Sequence, residues 1–376
     1  MKRWMVALAL LCTAADPPAP RWDAADLDAL RAAVADADAD ALPRPPVGLL
    51  EAAIKGGDGA AIDAAADAAA LKLARLHLVG SAGASERAGW RIVDGDAAFD
   101  PAPLLARAVA SGDLAGFFAG LRPANPDYAG LRAAYAVERD PARRRTIARN
   151  MERWRWMPRD PGPDYILVNA ASFEARLWRS GQPVRTFRVI VGKPRTATPV
   201  FNATVTGVTL NPWWDVPSSI VRESVGALVR RSPATARARG YVWSGGRIRQ
   251  KPGPNNSLGE MKLAMANPWN VYLHDTPNRK LFDEPVRAFS HGCVRVGDAL
   301  GLAQVLLEGV RTRAQIDARV ATRQTETVPL ARPIPVYIAY FTAGMRGDGT
   351  FAYFPDIYGR DGRLVLAPQV NQSCGV

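Results

Sequence analysis

The residues most able to do chemistry cluster around one cysteine. A thiol becomes a useful nucleophile only when a neighbouring base takes its proton or a cation stabilises the thiolate. Arg295 follows Cys293 by two positions, and two of the three histidines of the chain, His274 and His291, lie within the 19 residues before it. This combination is typical of a thiol that attacks a carbonyl group with a histidine as its base.

Gly292 directly precedes the thiol. Because glycine has no side chain, a substrate carbonyl can approach the backbone amides of Gly292 and Cys293, which would then form an oxyanion hole. A turn glycine beside a buried structural cysteine fits the same two residues. The order His-Gly-Cys therefore leaves a catalytic and a structural interpretation open.

Two further roles compete for Cys293. Cys374 is the other cysteine that remains once the N-terminal leader is removed, so a disulfide between them is one alternative, although chain ends are often loose. A zinc ion held by His274, His291 and Cys293 is the other. The sequence has no Cys-x-x-Cys or His-x-x-x-His spacing, and neither a metal nor another cofactor is expected.

Residues 1–15 are predicted to be a secretory signal peptide. Lys2 and Arg3 precede an apolar run over 4–11, and small residues at 13–15 form an acceptable cleavage site. The run is far shorter than the roughly 20 residues that span a bilayer. Cys12 raises lipidation as an alternative, but Leu11 is bulkier than such sites normally accept. The mature protein is therefore expected in the periplasm, without a transmembrane anchor.

Charge is distributed unevenly along the chain. Residues 16–140 contain 12 Lys/Arg and 19 Asp/Glu, whereas residues 141–376 contain 34 and 17. The basic part favours a polyanionic partner such as the cell wall; an Arg-rich solvated surface is the plainer interpretation. Because export is expected, nucleic acid is not an expected partner.

The elements that must position these residues change in character at residue 150. Residues 16–149 are rich in Ala, Leu and Asp at helical spacing, with breaks at Pro and Gly, and are predicted to form an α-helical domain. The clearest helix is predicted over 58–79. His77 within it is expected to pack or face solvent rather than bind a ligand.

From residue 150 onwards, aromatic and β-branched residues predominate, and the predicted fold class is α+β with a mostly-β domain over 150–362 and a tail over 363–376. Strands are predicted at 164–170, 173–179, 184–191, 200–210, 271–274, 334–342 and 350–357. Helices are predicted at 298–307 and 313–320, with Gly297 and Thr312 as their N-caps.

A series of ordered motifs resembles the signature of the L,D-transpeptidases, whose catalytic domain is also called YkuD. The two central motifs are Tyr272-Leu273-His274-Asp275-Thr276-Pro277 and Ser290-His291-Gly292-Cys293-Val294-Arg295, and further matches lie at 150–156, 189–194, 211–217, 252–259 and 356–361. The resemblance is strong over 147–362 and weak over 22–140. It is greatest to the large periplasmic subgroup, which has a helical scaffold domain.

The resemblance implies a role for each residue of the site. Cys293 would be the nucleophile and His274 its general base. Tyr272, His274 and the backbone around Gly292 and Cys293 would form the oxyanion site, and Ser290 and His291 would shape it. Arg295 would orient the substrate or favour the thiolate, and Trp214 would be part of the substrate groove.

The implied reaction moves an acyl group between peptidoglycan stems. Cys293 would attack the third residue of a tetrapeptide donor stem, terminal D-Ala would leave, and a diaminopimelate amine of an acceptor stem would resolve the thioester as a 3→3 cross-link. Water as acceptor would give an L,D-carboxypeptidase, and a D-amino acid would give exchange. A non-catalytic wall-binding protein with this fold is the alternative from another class.

Two regions bear on how such a protein would engage the wall. The subgroup usually carries a peptidoglycan-binding module between scaffold and catalytic domain, but here 128–145 runs almost directly into 150–156 and leaves no room for it. Wall binding would then come from the groove, the basic surface or other cell-wall synthesis proteins. Residues 218–251, rich in Arg, are predicted to form a small helical lid that opens for substrate and excludes water.

Overall fold

An N-terminal helical region precedes a region built on a large β-sheet in the computed structural model, which describes residues 21–93 and 96–366. The predicted signal peptide, Cys12 and Cys374 lie outside the described residues. The helices of the first part are α1 (Ala24–Asp36), α2 (Gly48–Gly56), α3 (Gly59–Val79), α4 (Ala84–Arg87), α5 (Ala102–Ser111), α6 (Leu114–Gly120), α7 (Pro126–Val137) and α8 (Pro141–Trp154).

The longest of these helices, α3, follows the prediction for 58–79 closely. Asp58 is its N-cap, and its side chain accepts hydrogen bonds from the amides of Ala60 and Ala61. Gly80 ends it with a φ of 80°, a conformation that glycine adopts without strain. Alanines on its buried face leave room for neighbouring helices to pack closely.

The sheet of the second part closes on itself. Its strands and the smaller sheets beside it are β1 (Trp90–Arg91), β2 (Tyr165–Asn169), β3 (Glu174–Arg179), β4 (Gln182–Gly192), β5 (Val200–Leu210), β6 (Trp214–Asp215), β7 (Tyr241–Ser244), β8 (Arg247–Gln250), β9 (Met261–Met265), β10 (Leu273–His274), β11 (Ala288–Ser290), β12 (Val294–Val296), β13 (Glu326–Ala339), β14 (Ala343–Met345) and β15 (Phe351–Tyr353). The order β5-β13-β2-β3-β4-β12-β10-β9 returns to β5 through a β9–β5 pairing. Such closure satisfies the backbone on both sides of the ring strands.

The predicted strand at 334–342 begins earlier than expected. Strand β13 starts at Glu326, and its register against β5 shifts between Pro329 and Ile334. Proline cannot donate to a ladder, so a bulge is where a strand tolerates it. Pro329 and Pro333 therefore lie inside a longer bulged strand that the prediction of 334–342 did not include.

Helices α12 (Ala299–Leu306) and α13 (Arg313–Ala321) lie where helices were predicted. The N-cap of α12 is Asp298, whose side chain accepts from the Gly301 amide, so the prediction of Gly297 was wrong. Thr312 caps α13 in a capping box with Gln315, as predicted for Thr312.

The two hydrophobic cores divide earlier than the predicted domain boundary at 149. The core of the helical region ends at Leu121. The next two helices, α7 and α8, place Tyr128, Leu131, Met151 and Trp154 in the same core as the sheet. These two helices therefore form one packing unit with the β region.

A buried polar network joins the helical region to α8. Tyr128 donates its hydroxyl to Asp40 at 2.9 Å and accepts from Arg155 at 2.7 Å. Arg155 also pairs with Glu152, which accepts the Ser81 amide at 2.7 Å. Removing one partner of such a buried pair leaves an uncompensated charge and typically costs about 3–5 kcal/mol. The network therefore fixes how the two regions join.

His77 in α3 is only 2% exposed and lies near this network. Burial lowers the pKa of His77 to about 3; nearby Asp40 opposes the shift, whereas Arg155, Arg122 and Arg132 add to it. In the unfolded chain the pKa of histidine is about 6.5. Above about pH 6.5 both states hold a neutral His77, so its protonation does not lower the free energy of unfolding there. As the pH falls from about 6.5 towards 3, the free energy of unfolding decreases, because only the unfolded chain takes up the proton.

His77→Gln should weaken the dependence of unfolding free energy on pH between about pH 6.5 and 4, by an amount on the order of a few kcal/mol. Chemical denaturation at a series of pH values measures it. The exposed His291→Gln provides the matched control and should keep the wild-type slope. Identical slopes in wild type and His77→Gln would contradict the expected role of the buried imidazole.

The predicted lid segment is part helix and part hairpin. It contains α9 (Ser218–Ile220), a π-helical turn (Val221–Val225), α10 (Gly226–Arg231), α11 (Pro233–Ala238) and the β7–β8 hairpin. Val216, Val225 and Ile248 form its own small core. The hairpin was not predicted from the sequence. Across residues 21–93 and 96–366, none of the helices combines the length and apolar character needed to cross a membrane.

Candidate active site

Two short parallel strands bring the predicted nucleophile and base together. In β10 and β12, Leu273 is in register with Val294, and both side chains are fully buried in the core. The Val294 amide donates to the Tyr272 carbonyl at 2.9 Å, which extends the ladder by one residue. Because side chains alternate along a strand, the residues on either side share the opposite face: Tyr272, His274, Cys293 and Arg295.

The Cys293 thiol is held by backbone groups of the segment before β10. Its Sγ donates to the Asn270 carbonyl at 3.7 Å. Burial raises the pKa of the thiol, while the Tyr272 N–H, which donates to the sulfur, and the cations of Arg295 and Lys262 oppose the rise. With burial dominant, the resting site holds a neutral thiol, and a base must remove its proton.

His274 is 4% exposed and has one ring nitrogen fixed. Its Nδ1 donates to the Asp275 carbonyl at 2.5 Å, which leaves Nε2 as the basic atom. Burial lowers the pKa of His274 to about 4; Arg295 and Lys262 add to the fall, and hydrogen bonds to backbone carbonyls oppose it. The imidazole is therefore neutral near pH 7 and able to accept a proton.

In the described residues, the hydrogen bond of the thiol goes to Asn270 rather than to His274. His274 and Cys293 are diagonal neighbours on one face of adjacent strands. Catalytic hydrogen bonds are often long before substrate binds, so this arrangement is compatible with a nucleophile and its base.

The turn before the thiol is held by Ser290. Its hydroxyl donates to the Cys293 carbonyl at 2.5 Å and accepts from the Gly292 amide at 3.0 Å. The Gly292 amide thus donates to Ser290 in this structure, and the oxyanion role of the backbone around Gly292 and Cys293 stays a prediction. Gly292 has a φ of 115°, a conformation that strongly favours glycine.

A second group of residues supports this turn from behind and was missed in the sequence. Thr198 is fully buried, donates to the Gly292 carbonyl and accepts from the Gly192 amide, each at 2.9 Å. The Tyr358 hydroxyl donates to the Gly192 carbonyl at 2.8 Å. Tyr358 lies within the matching motif at 356–361, which offered a signal, whereas nothing in the sequence marked Thr198.

Lys262 is a further residue of the site that sequence reasoning missed. It lies on β9 directly opposite His274 in the antiparallel β9–β10 pair. Its Nζ is 4.5 Å from the centre of the Tyr272 ring. Met, Leu and Met alternate with Lys and Ala in β9, a pattern that could have predicted a strand. It could not have predicted that this strand pairs with β10.

Trp214 lies at the base of the lid. It is on β6, which pairs with β8 of the lid hairpin, and its ring packs against the small lid core near Tyr241, 6.5 Å away. The structure thus connects Trp214 to the lid rather than to the Cys293 thiol. Its place in a substrate groove remains a prediction.

His291 also faces the lid. Its Nε2 lies 2.8 Å from the Glu223 carboxylate in the π-helical turn. Both side chains are partly exposed. This contact links the residue two positions before the nucleophile to the lid.

Glu223→Gln should loosen the lid without unfolding the protein. Exposed ion pairs contribute about 0.2–1 kcal/mol, so amide hydrogen exchange across 218–238 should accelerate by up to about fivefold. Hydrogen exchange followed by mass spectrometry measures it. Glu308→Gln, which removes an exposed carboxylate outside the lid, should leave these amides unchanged, and equal rates in both variants would show that the contact does not hold the lid.

A thiol and a neutral imidazole on one face of adjacent strands, with the imidazole oriented by a carbonyl, have the chemistry of a cysteine acyltransferase. Residues 163–320 match the family model of the L,D-transpeptidase catalytic domain (YkuD), and residues 18–134 match that of the Scaffold domain. Residues 163–320 therefore carry an L,D-transpeptidase (YkuD) catalytic domain and residues 18–134 a Scaffold domain, and the expected α+β fold class is confirmed.

A curated relative supports the same family. A provisionally named L,D-transpeptidase of Haemophilus influenzae is 32% identical over 246 residues, which cover 59% of this chain and 49% of the relative. The chain thus spans about half the length of that protein.

Solved structures of L,D-transpeptidases also match about half of the chain. One from Mycobacterium smegmatis is 12% identical, with 47% of this chain and 58% of that one covered and a TM-score of 0.26. L,D-transpeptidase 3 from Mycobacterium tuberculosis, in complex with a faropenem-derived adduct, is 15% identical, with 47% and 60% covered and a TM-score of 0.26.

Proposed function

We propose that this protein is a periplasmic peptidoglycan L,D-transpeptidase that forms 3→3 cross-links through a thioester on Cys293. The observation that carries the proposal is the placement of Cys293 and His274 on one face of adjacent strands, within the matched catalytic domain. The two parallel strands bring residues 19 positions apart in sequence within reach of one substrate.

The first half-reaction would acylate the thiol. Cys293 Sγ attacks the carbonyl of the third residue of a tetrapeptide donor stem, while His274 Nε2 takes the thiol proton. The bond between that carbonyl and the D-Ala nitrogen breaks, His274 returns its proton to that nitrogen, and D-Ala leaves. The Asp275 carbonyl holds His274 in the required tautomer throughout.

The second half-reaction would release the acyl group. The side-chain amine of a diaminopimelate residue on an acceptor stem attacks the thioester, and His274 accepts a proton from the attacking nitrogen. The carbon–sulfur bond breaks and Cys293 regains its proton. The lid, held beside the site by the Glu223–His291 contact, would limit the access of water that otherwise hydrolyses the thioester.

The proposed location and partners follow from the same reaction. The substrates are peptidoglycan stems as donor and acceptor, and the leader predicted at 1–15 would direct export to the periplasm. The lid carries eight Lys/Arg and one Glu over residues 218–251. This positive surface would attract the carboxylate-rich stems, and other cell-wall synthesis proteins are further proposed partners.

Incubation of the mature protein with purified tetrapeptide muropeptides tests the proposal, with products followed by mass spectrometry. Cross-linked dimers that have lost one D-Ala are the expected result. Tripeptide as the sole product would instead identify an L,D-carboxypeptidase. Unchanged muropeptides with wild type and Cys293→Ala alike would overturn an acyl-transfer function altogether.

A further inference from the structure

Two cations lie on the thiol face with no carboxylate partner. Among the ion pairs and hydrogen bonds of the described residues, none involves the side chain of Lys262 or Arg295, although both are half-buried. Asp215, the acid that acts on Lys262 from a distance, is engaged by Arg249 at 2.6 Å. Lys262 has the Tyr272 ring as its neighbour, but burying a charge without an opposite charge costs free energy, so the two cations favour the binding of an anion.

We propose that Lys262 and Arg295 together bind the terminal carboxylate of the donor stem, and so select a donor that ends one residue after the carbonyl attacked by Cys293. The inference rests on the proposed function and names its specificity-determining residues. Arg295 offers a planar set of donors and Lys262 a compact charge, which together suit a carboxylate approached from two sides.

The position of the two cations favours this carboxylate over the others of the stem. Lys262 lies opposite His274, and Arg295 lies two residues from Cys293 on the same face. Both cations act electrostatically on the thiol. A terminal carboxylate must lie within about one residue length, about 3.8 Å, of the carbonyl under attack. The side-chain carboxylate of diaminopimelate is several bonds farther away.

A carboxylate bound by Lys262 and Arg295 would also make His274 a stronger base. Arg295 and Lys262 both disfavour a positive charge on His274. A carboxylate bound between them would offset their charge and favour proton uptake by His274. A donor stem with a free terminal carboxylate would therefore favour proton transfer from Cys293 to His274. A donor with a neutral terminus would not, because the charges of both cations would remain uncompensated.

The first test compares two tetrapeptide donors, one with a free terminal carboxylate and one with a terminal carboxamide. Wild type should favour the free acid in kcat/KM for D-Ala or D-alaninamide release by about 10- to 100-fold, as one charge-assisted hydrogen bond would give. Lys262→Met and Arg295→Met should bring the ratio towards one. Lys262→Arg should retain most of the preference, and Lys55→Met, which removes an exposed lysine of α2, should retain all of it.

The second test does not depend on peptidoglycan. Iodoacetate and iodoacetamide alkylate the same thiol but differ in charge, so their rate ratio at Cys293, mapped by mass spectrometry, reports the local positive field. Lys262→Met should lower the iodoacetate-to-iodoacetamide ratio by about fivefold, the effect of one unit charge at about 4 Å in water. An unchanged melting temperature confirms that the variant is folded.

The outcomes separate this inference from the proposed function. An active wild type that uses acid and amide donors equally would overturn the carboxylate site and leave the transpeptidase function standing. If neither donor reacts, the proposed function fails, and a lowered iodoacetate ratio would still support an anion site beside Cys293. A ratio unchanged in both Lys262→Met and Arg295→Met would overturn the site.

Discussion

Cys293→Ala should abolish acyl transfer, lowering the rate of D-Ala release at least about a thousandfold. Alanine cannot form the thioester, and no other thiol lies on the face shared by Tyr272, His274 and Arg295 among the described residues. The measurement is D-Ala release together with the intact mass of the protein after incubation with tetrapeptide donor or a carbapenem. Wild type should gain one adduct on Cys293, and the variant should gain none.

Cys374→Ala is the matched control, since it removes a different thiol, the one that would pair with Cys293 in the alternative disulfide. It should keep full activity and the same adduct. Equal loss of activity in both variants, accompanied by a lower melting temperature, would favour the alternative of a Cys293–Cys374 disulfide. Normal D-Ala release by Cys293→Ala would exclude a thioester on this residue.

His274→Gln should lower kcat/KM for acylation by about 10²- to 10⁴-fold, the usual contribution of a positioned general base. Glutamine can keep a hydrogen bond to the Asp275 carbonyl but cannot take the thiol proton. Because the wild-type thiol is neutral at rest, the loss should appear in acylation by the donor stem. Stopped reactions analysed for the acyl-enzyme mass provide the rate.

The pH profile of wild type supplies an independent check of this pair. With the pKa of His274 at about 4 and that of Cys293 raised by burial, kcat/KM should be flat between about pH 5 and 8. It should fall as the pH drops through about 4, because the imidazole then carries a proton and cannot act as base. His291→Gln should share this profile, and a step near pH 6.5 that disappears in His274→Gln would contradict the low pKa.

The candidate reactive residues could be selected from the sequence more readily than the residues around them. Cys293, His274 and Arg295 could be selected from residue types and spacing, and the family resemblance supplied their roles. Lys262 could not be found in this way, since its place beside His274 depends on the pairing of β9 with β10. A pairing between strands separated by a loop leaves no mark in the spacing of either strand.

The hydrogen bonds of Gly292 could not be predicted from the sequence. From the sequence, the amides of Gly292 and Cys293 were both expected to face an oxyanion. The Ser290 hydroxyl engages the Gly292 amide, and Thr198 holds its carbonyl. Which groups a hydroxyl contacts depends on the path of the turn, and residue types and spacing do not determine that path.

The fold was predictable where local pattern determines it. Strand β5 has the predicted bounds, and α3 begins within one residue of its predicted start. The membership of α7 and α8 in the sheet core was not predictable, because an apolar stripe shows that a helix is buried without showing which core covers it.

The buried network of Asp40, Tyr128 and Arg155 couples the stability of the Scaffold domain to that of the region that follows it. Arg155 donates to Tyr128 and to the Asp40 carbonyl, and Glu152 accepts the Ser81 amide, so these bonds form only while both regions are in place. Detaching one region would leave charges stranded in the interior of the other. Both regions should therefore unfold in a single cooperative transition on heating. Proteolysis should likewise degrade the catalytic domain together with the helices that precede it.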